Sequence, residues 1–202
     1  MKKDKQIIKE FFGKCVKRHG DNVHSLAWES DHSQRTRFSI LAQIADLDGK
    51  SILDVGCGKA DLYDFLIEEG ISVEYYGVDL TLGMLDLARK NFTGISLFYR
   101  DFLAEARYPE VDYVLSSGVA NVKTPNNQKY MEDVIVKMYS LCRMGVGVNM
   151  LSSYAPESKM HNGMYFYSPE EMFKFAMKLT RDVILRHDYL SNDFTLYLYK
   201  KR

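Results

Sequence analysis

No segment of the 202-residue chain reaches the run of about 18 apolar residues that a membrane-spanning helix requires. The opening, MKKDKQIIKEFF, is basic but has neither the apolar core nor the small-residue cleavage site of a signal peptide. A cytoplasmic protein without a membrane partner is therefore expected. Cysteine is scarce: Cys15, Cys57 and Cys142 are far apart and never spaced as C-x-x-C. That excludes a disulfide framework or a zinc site as the organising feature and fits a reducing compartment. With 13 Gly and 4 Pro, collagen-like and low-complexity chains are excluded as well. Neither sign of charge is in excess, since 27 Lys and Arg balance 27 Asp and Glu. A domain that grips nucleic acid by its phosphates usually carries a basic surplus, so nucleic acid is not the expected partner. The basic ends, Lys2-Lys3-Lys5 and Lys200-Lys201-Arg202, read as solvated termini.

What is present is an apolar fraction of 46%, enough for one ordinary globular core. From Asp4 to Arg18 the apolar residues Ile7, Ile8, Phe11, Phe12, Cys15 and Val16 recur at helical spacing. A second helical pattern runs from His32 to Ala45. The polar stretch between them holds the single tryptophan, Trp28. Strand and helix patterns then alternate: strand 51–55, helix 61–69, strand 73–79, helix 82–91, strands 96–99 and 112–117, helix 127–144, strand 145–151. Alternation of this kind predicts a parallel sheet with helices on both faces. Ser168-Pro169-Glu170-Glu171 reads as a helix start, with Ser as the cap and Pro at the first helical position. Two strand-like runs, 182–189 and 193–200, close the chain as a hairpin through Leu190-Ser191-Asn192. The expected fold is α/β, a Rossmann-like, seven-stranded, mostly parallel sheet with an antiparallel C-terminal hairpin. Residues 1–46 are expected to form a helical cap on a core of residues 47–202, all in one domain.

The most informative segment is Ile52-Leu53-Asp54-Val55-Gly56-Cys57-Gly58-Lys59-Ala60. It sets a Gly-x-Gly turn between a strand and a helix, where glycines admit a ligand close to the backbone and exposed amides attract polar groups. In open α/β sheets this is where ligands bind. Asp54 stands two residues before the first glycine, and Asp79 ends the next strand, placed to accept both hydroxyls of a ribose. A dinucleotide fingerprint would put a third glycine at position 61, which is Asp61. An acid at position 54 also suits a ligand with an ammonium group better than an anionic pyrophosphate. S-adenosylmethionine (SAM) has an amino-acid end, a ribose and an adenine, and no phosphate.

LDVGCGKADL, YYGVDL and YRDFL resemble the successive motifs of class I SAM-dependent methyltransferases, over residues 50 to 200. Ala60 replaces a glycine frequent in such loops. The resemblance implies that Asp54, Gly56, Cys57 and Gly58 contact the methionine end of SAM, that Asp79 takes the ribose hydroxyls and that Leu80 packs on the adenine. It implies that Asp101 accepts from the adenine amine, with Phe102 beside it, and that Ser117 lies beneath the sulfonium. Cys57 reads more simply as a small residue tolerated between glycines than as a nucleophile.

The N/D-P-P-Y/F signature of amide and adenine methylation is absent after Ser117, and none of the prolines precedes a cysteine as cytosine C5 methylation requires. Asp112 and Asn121 are too few for a catechol-type metal site. By elimination the expected reaction is methyl transfer to an O or N atom of a small-molecule acceptor. The alternative is a SAM-binding regulatory subunit without catalysis. Acceptor-side candidates come from two irregular segments. The first carries His24, Trp28, Gln34 and Arg37, with Trp28 as an apolar wall and Arg37 toward the SAM carboxylate or out in solvent. The second runs from Tyr154 to Tyr167, with His161 as a general base and Tyr165 beside it. The acceptor and the oligomeric state are left open.

Overall fold

The computed structural model describes residues 2–19, 30–104 and 107–201. Among these residues, six α-helices and seven strands follow in order: α1 (Lys2–His19), α2 (Asp31–Ala42), β1 (Lys50–Val55), α3 (Asp61–Glu68), β2 (Val73–Asp79), α4 (Leu82–Asn91), β3 (Ser96–Tyr99), β4 (Val111–Ser117), α5 (Asn127–Leu141), β5 (Cys142–Leu151), α6 (Pro169–Ala176), β6 (Val183–Arg186) and β7 (Asp193–Tyr199). A 3-10 turn covers Glu157–Lys159. The strands make one sheet in the order β3-β2-β1-β4-β5-β7-β6. β3 to β5 are parallel. β7 runs antiparallel to both β5 and β6.

Successive strand residues face opposite sides, and both faces are covered. On one face Ile52, Leu115 and Tyr197 meet Phe38, Ile44, Leu62 and Phe65 of the α2–α3 side. On the other, Leu53, Val114, Val146 and Val148 meet Val134 and Ile135 of α5 and Met172 of α6. α4 packs beside α3 through Leu85 and Ala88 against Cys57 and Tyr75. The α6 start forms as its sequence predicts, with Ser168 Oγ accepting from Glu171 N–H at 3.1 Å and Pro169 in the first position.

Several boundaries differ from the sequence pattern; α2, for one, ends at Ala42 rather than Ala45. α5 stops at Leu141 rather than Met144, because β5 begins at Cys142 to pair with Val111. β6 is confined to Val183–Arg186. The hairpin join consequently spans 187–192, wider than the expected 190–192. Of the expected cap, residues 1–46, the described residues include two helices with different packing. α2 belongs to a layer against the sheet. α1 is tied across the strand ends by Lys5 to Asp101, by Lys9 Nζ to Tyr99 Oη at 2.8 Å, and by buried Asp4 to Asn126 N–H at 3.1 Å.

Candidate active site

The chain reverses its direction of sheet growth between β1 and β4. A crevice therefore opens at the carboxyl ends of these neighbouring strands, the place where doubly wound sheets bind ligands. A cavity of about 390 Å3 fills it. It is walled by the loop after β1, the end of β2, the segment after β4, α1, α2 and the 159–166 segment.

The floor follows from backbone demands. Gly56 (φ +75°) and Gly58 (φ +54°) take left-handed conformations. A Cβ on Gly56 would stand 2.6 Å from Val119 Cγ2, so a side chain is excluded by space as well as by strain. Ala60 shares the left-handed region at φ +65°, where the frequent glycine of such loops would be unstrained. Gly56 and Cys57 both donate to Val78 O, at 2.8 and 3.1 Å, which fixes the turn to β2.

A buried carboxylate, Asp54, and a half-buried one, Asp79, face this floor. Asp79 accepts from Gly58 N–H at 3.0 Å through one oxygen and from Thr81 N–H at 2.6 Å through the other. Each oxygen keeps a second lone pair for a ligand hydroxyl. Burial still raises its pKa above the ordinary value, against the pull of those amides. Asp54 accepts from Tyr75 Oη at 2.7 Å. Burial, with the charges of Asp79 and Asp61 adding to it, pushes Asp54 up to about 7. Both acids are suited to a cationic or hydroxyl-rich ligand that replaces lost water. Asp61 lies beside them, held by Gln34 Nε2 at 2.8 Å and Lys59 Nζ at 3.6 Å.

Of the residues expected from the sequence, Arg37, Asp54, Gly56, Cys57, Asp79, Leu80, Phe102, Ser117 and His161 line the cavity. Burial raises the Cys57 thiol well above its ordinary value, which suits a packing role and not a nucleophile. Gly58 stands back from the cavity, its amide spent on Asp79. Arg37 is not a solvated helix arginine. It is 4% exposed and grips Asp193 with Nε–Oδ1 at 2.8 Å and Nη2–Oδ2 at 2.6 Å.

Two of the expected residues, Asp101 and Tyr165, do not line this cavity. Asp101 does not face the cavity: its carboxylate pairs with Lys5 of α1 and accepts from Leu103 N–H at 3.1 Å. Tyr165 also points elsewhere. The 163–165 segment pairs with 121–123 in a short antiparallel bridge, Lys123 N–H to Gly163 O at 2.8 Å and Tyr165 N–H to Asn121 O at 2.7 Å. Alternation along this extended segment sends Met164 and Phe166 into the cavity and packs the Tyr165 ring on Tyr167, centroids 4.7 Å apart. Trp28 and His24 lie outside the described residues. Asp112 sits at the opposite end of the sheet, bonded to Ser51 and Arg143.

Asn121 is a site residue that the sequence pattern does not place. It lines the cavity, and among the described residues its buried Oδ1 has no hydrogen-bond partner. Ser117 Oγ, in the same cavity, is in the same condition. Unpartnered buried oxygens, a glycine turn that a Cβ would fill and two carboxylates fit a ligand with ammonium and ribose groups. SAM is such a ligand.

The comparisons with known proteins agree. Residues 52–145 match a family model described as a methyltransferase domain. A Mycobacterium tuberculosis protein named "Putative methyltransferase Rv1506c" is 31% identical over 159 residues, 76% of this chain and 95% of that protein. Magnesium protoporphyrin IX methyltransferase (ChlM) of Synechocystis PCC 6803, crystallised with SAM, superposes with a TM-score of 0.70 at 18% identity, covering 98% of this chain and 97% of that one. The 1,6-didemethyltoxoflavin-N1-methyltransferase of Burkholderia thailandensis gives 0.69 at 14% identity over 98% of this chain and 88% of that one. At such identities the two structures speak to the fold alone. The chain belongs to the class I SAM-dependent methyltransferases. It is an enzyme whose cofactor is SAM. Among the described residues no helix is long and apolar enough to cross a membrane.

Proposed function

We propose that the protein transfers a methyl group from SAM to an O or N atom of a small-molecule acceptor. The observation that carries this is the continuity of the cavity. The same 390 Å3 space that reaches the Asp54–Asp79 floor extends to His161, Met164 and Phe166, under Ile8 and Phe12 of α1. Its size is that of a small-ligand site, and its walls are mainly apolar with a few convergent polar groups.

When bound, SAM supplies a methyl carbon on a sulfonium, open to in-line displacement. The chain's residues have the remaining roles. Asp54 would face the ammonium and Asp79 the ribose hydroxyls, while Leu80, Met84 and Phe102 would flank the adenine. Arg37, its angle fixed by Asp193, would face the carboxylate. Chemistry of this kind depends chiefly on positioning. The pinned 163–165 bridge and the tethered α1 provide rigid walls for it. His161 is exposed at the cavity mouth, on the tip closed by Met164 N–H to His161 O at 3.1 Å. From there it can receive a proton released by the acceptor.

The test is incubation with methyl-labelled SAM and, separately, a metabolite fraction, bulk RNA and bulk protein from a bacterial lysate. Label is expected in the metabolite fraction. Label confined to RNA or protein would refute the small-molecule reading.

A further inference from the structure

We propose that Tyr75 is a positioning residue for the cofactor: from behind the floor of the cavity its hydroxyl holds the Asp54 carboxylate by one oxygen and leaves the other for the ligand's ammonium group. This rests on the cavity being a methyl-transfer site and adds a residue that never touches the ligand. Tyr75 is 4% exposed and is absent from the cavity wall, whereas Asp54 is part of that wall. Its Oη donates to Asp54 Oδ2 at 2.7 Å and makes no other hydrogen bond among the described residues.

The sheet register explains the reach. Tyr75 stands opposite Ile52 and Gly77 opposite Asp54, so Tyr75 and Asp54 are diagonal neighbours on one face. An aromatic side chain can span such a diagonal. Gly77 keeps that face open, since a Cβ there would stand 2.8 Å from Cys57 Sγ, which packs over the strand at this point. Packing fixes the ring: Tyr63 lies 5.0 Å away between centroids, and Leu85 and Ala88 of α4 belong to the same cluster. A phenylalanine would fill the same place, so packing does not call for the hydroxyl. What the hydroxyl adds is its hold on Asp54.

Most of what surrounds Asp54 opposes its charge. Burial comes first, and the charges of Asp79 on β2 and Asp61 on α3 add to it, against the Tyr75 hydrogen bond. Cys57 on the turn stays a thiol, its pKa raised by burial. β4 offers only Leu115 in register with Asp54. α2 brings Gln34 and Arg37 to the cavity, bonded to Asp61 and Asp193 respectively, and Lys59 Nζ is 3.6 Å from Asp61. Among the described residues, Tyr75 is therefore the side chain that supports the ionised form of Asp54 by a hydrogen bond. With Oδ2 accepting from Tyr75, the proton of the neutral acid sits on Oδ1. When an ammonium takes its place, that proton passes to water, one for each ligand bound, and the carboxylate is left between two donors. A phenol donates more strongly to a carboxylate than to a carboxylic acid. The tyrosine thus lowers the pH at which the floor becomes able to bind.

Calorimetry with S-adenosylhomocysteine from about pH 5.5 to 8.5 tests the arrangement. Tyr75→Phe is set against wild type at each pH, so that the ligand's own titration cancels. Without the phenol the proton on Asp54 is held more tightly. The rise in affinity should then move up by about one pH unit, the effect of one hydrogen bond to a charged group. Tyr75→Phe should bind about tenfold more weakly than wild type near pH 6 and within about twofold of it near pH 8.5. In the Asp54→Asn background the same change should give no pH-dependent difference. A tyrosine with a merely structural role would weaken binding by one factor throughout. That result, affinities equal at every pH, or a pH-dependent difference that survives Asp54→Asn would overturn the proposal. If Tyr75→Phe does not fold, 3-fluorotyrosine placed at position 75 takes over. Its more acidic phenol donates more strongly, so the rise should move to lower pH, and an unmoved rise would overturn the proposal. Failure of S-adenosylhomocysteine to bind wild type at any pH would instead overturn the methyl-transfer reading beneath it.

Discussion

Asp54 makes the stability of the free protein depend on pH in a direction that can be stated beforehand. The side chain is 3% exposed, hydrogen-bonded to Tyr75 Oη and neighboured by Asp79 and Asp61. Burial is the main reason its pKa stands at about 7, above the ordinary 3.8. The folded state therefore binds a proton that the unfolded chain has already lost. The stability this provides is complete below about pH 4 and is lost as pH rises through 7. Between those two values each pH unit is worth about 1.4 kcal/mol, so the whole window amounts to on the order of 4 kcal/mol. Asp54→Asn removes the titration but keeps an oxygen for Tyr75. Urea unfolding of both proteins from pH 4.5 to 8 should show Asp54→Asn gaining on wild type as pH rises, by a few kcal/mol at pH 8. A bound ammonium would expel the proton, so SAM affinity should climb between pH 5.5 and 7.5 in wild type and stay flat in Asp54→Asn. Parallel pH profiles for the two proteins, in stability and in binding, would refute the assignment of Asp54 as a buried, protonated acid facing the ligand.

Asp193→Ala should cost about 3–5 kcal/mol in urea unfolding, since it leaves Arg37 charged among buried groups; a loss below about 1 kcal/mol would mean that water reaches the guanidinium. The double variant Arg37→Met with Asp193→Leu should recover most of that loss. Asp79→Ala should weaken SAM binding by about 1–3 kcal/mol in calorimetry, because a charged acceptor is removed from buried hydrogen bonds; unchanged affinity in a folded variant would exclude Asp79 from the ribose. His161→Ala should lower kcat for a verified acceptor and leave SAM affinity intact, as expected of a group that acts only on the acceptor; a wild-type rate at every pH would reduce it to a loop residue.

The floor of the site is legible in the sequence because its determinants are local. Strand, glycine turn, helix and the acid that ends the next strand fall between Ser51 and Asp79, and each residue type there answers a backbone requirement or a ligand group. Positive φ at Gly56 and the pairing of Asp79 with the Gly58 amide are what such a turn demands. Sheet order is legible for a similar reason, since alternating strand and helix patterns leave few right-handed arrangements. The walls are not legible. Asp101 reads as a partner of the adenine, yet Lys5, 96 positions away, claims it. Arg37 is held by Asp193, separated by 156 positions. Whether Tyr165 or Phe166 enters the cavity is decided by a bridge to Val122. A register displaced by one residue would reverse every side chain in it, and no pattern within 160–167 specifies that register.

The same division of local floor and distant wall bears on how cofactor and acceptor are recognised. On the proposed reading, Asp54 and Asp79 at the strand ends and the glycine turn between them meet SAM, and Asp79 is fixed by the amides of Gly58 and Thr81. The rest of the cavity wall comes from α1, the 121–123 segment and the 163–166 segment, brought together by tertiary contacts. Changes in those segments can alter the acceptor while the floor stays as it is, because the two sets share few hydrogen bonds. Asn121 stands at the joint between them, where its backbone carbonyl fixes the Tyr165 amide.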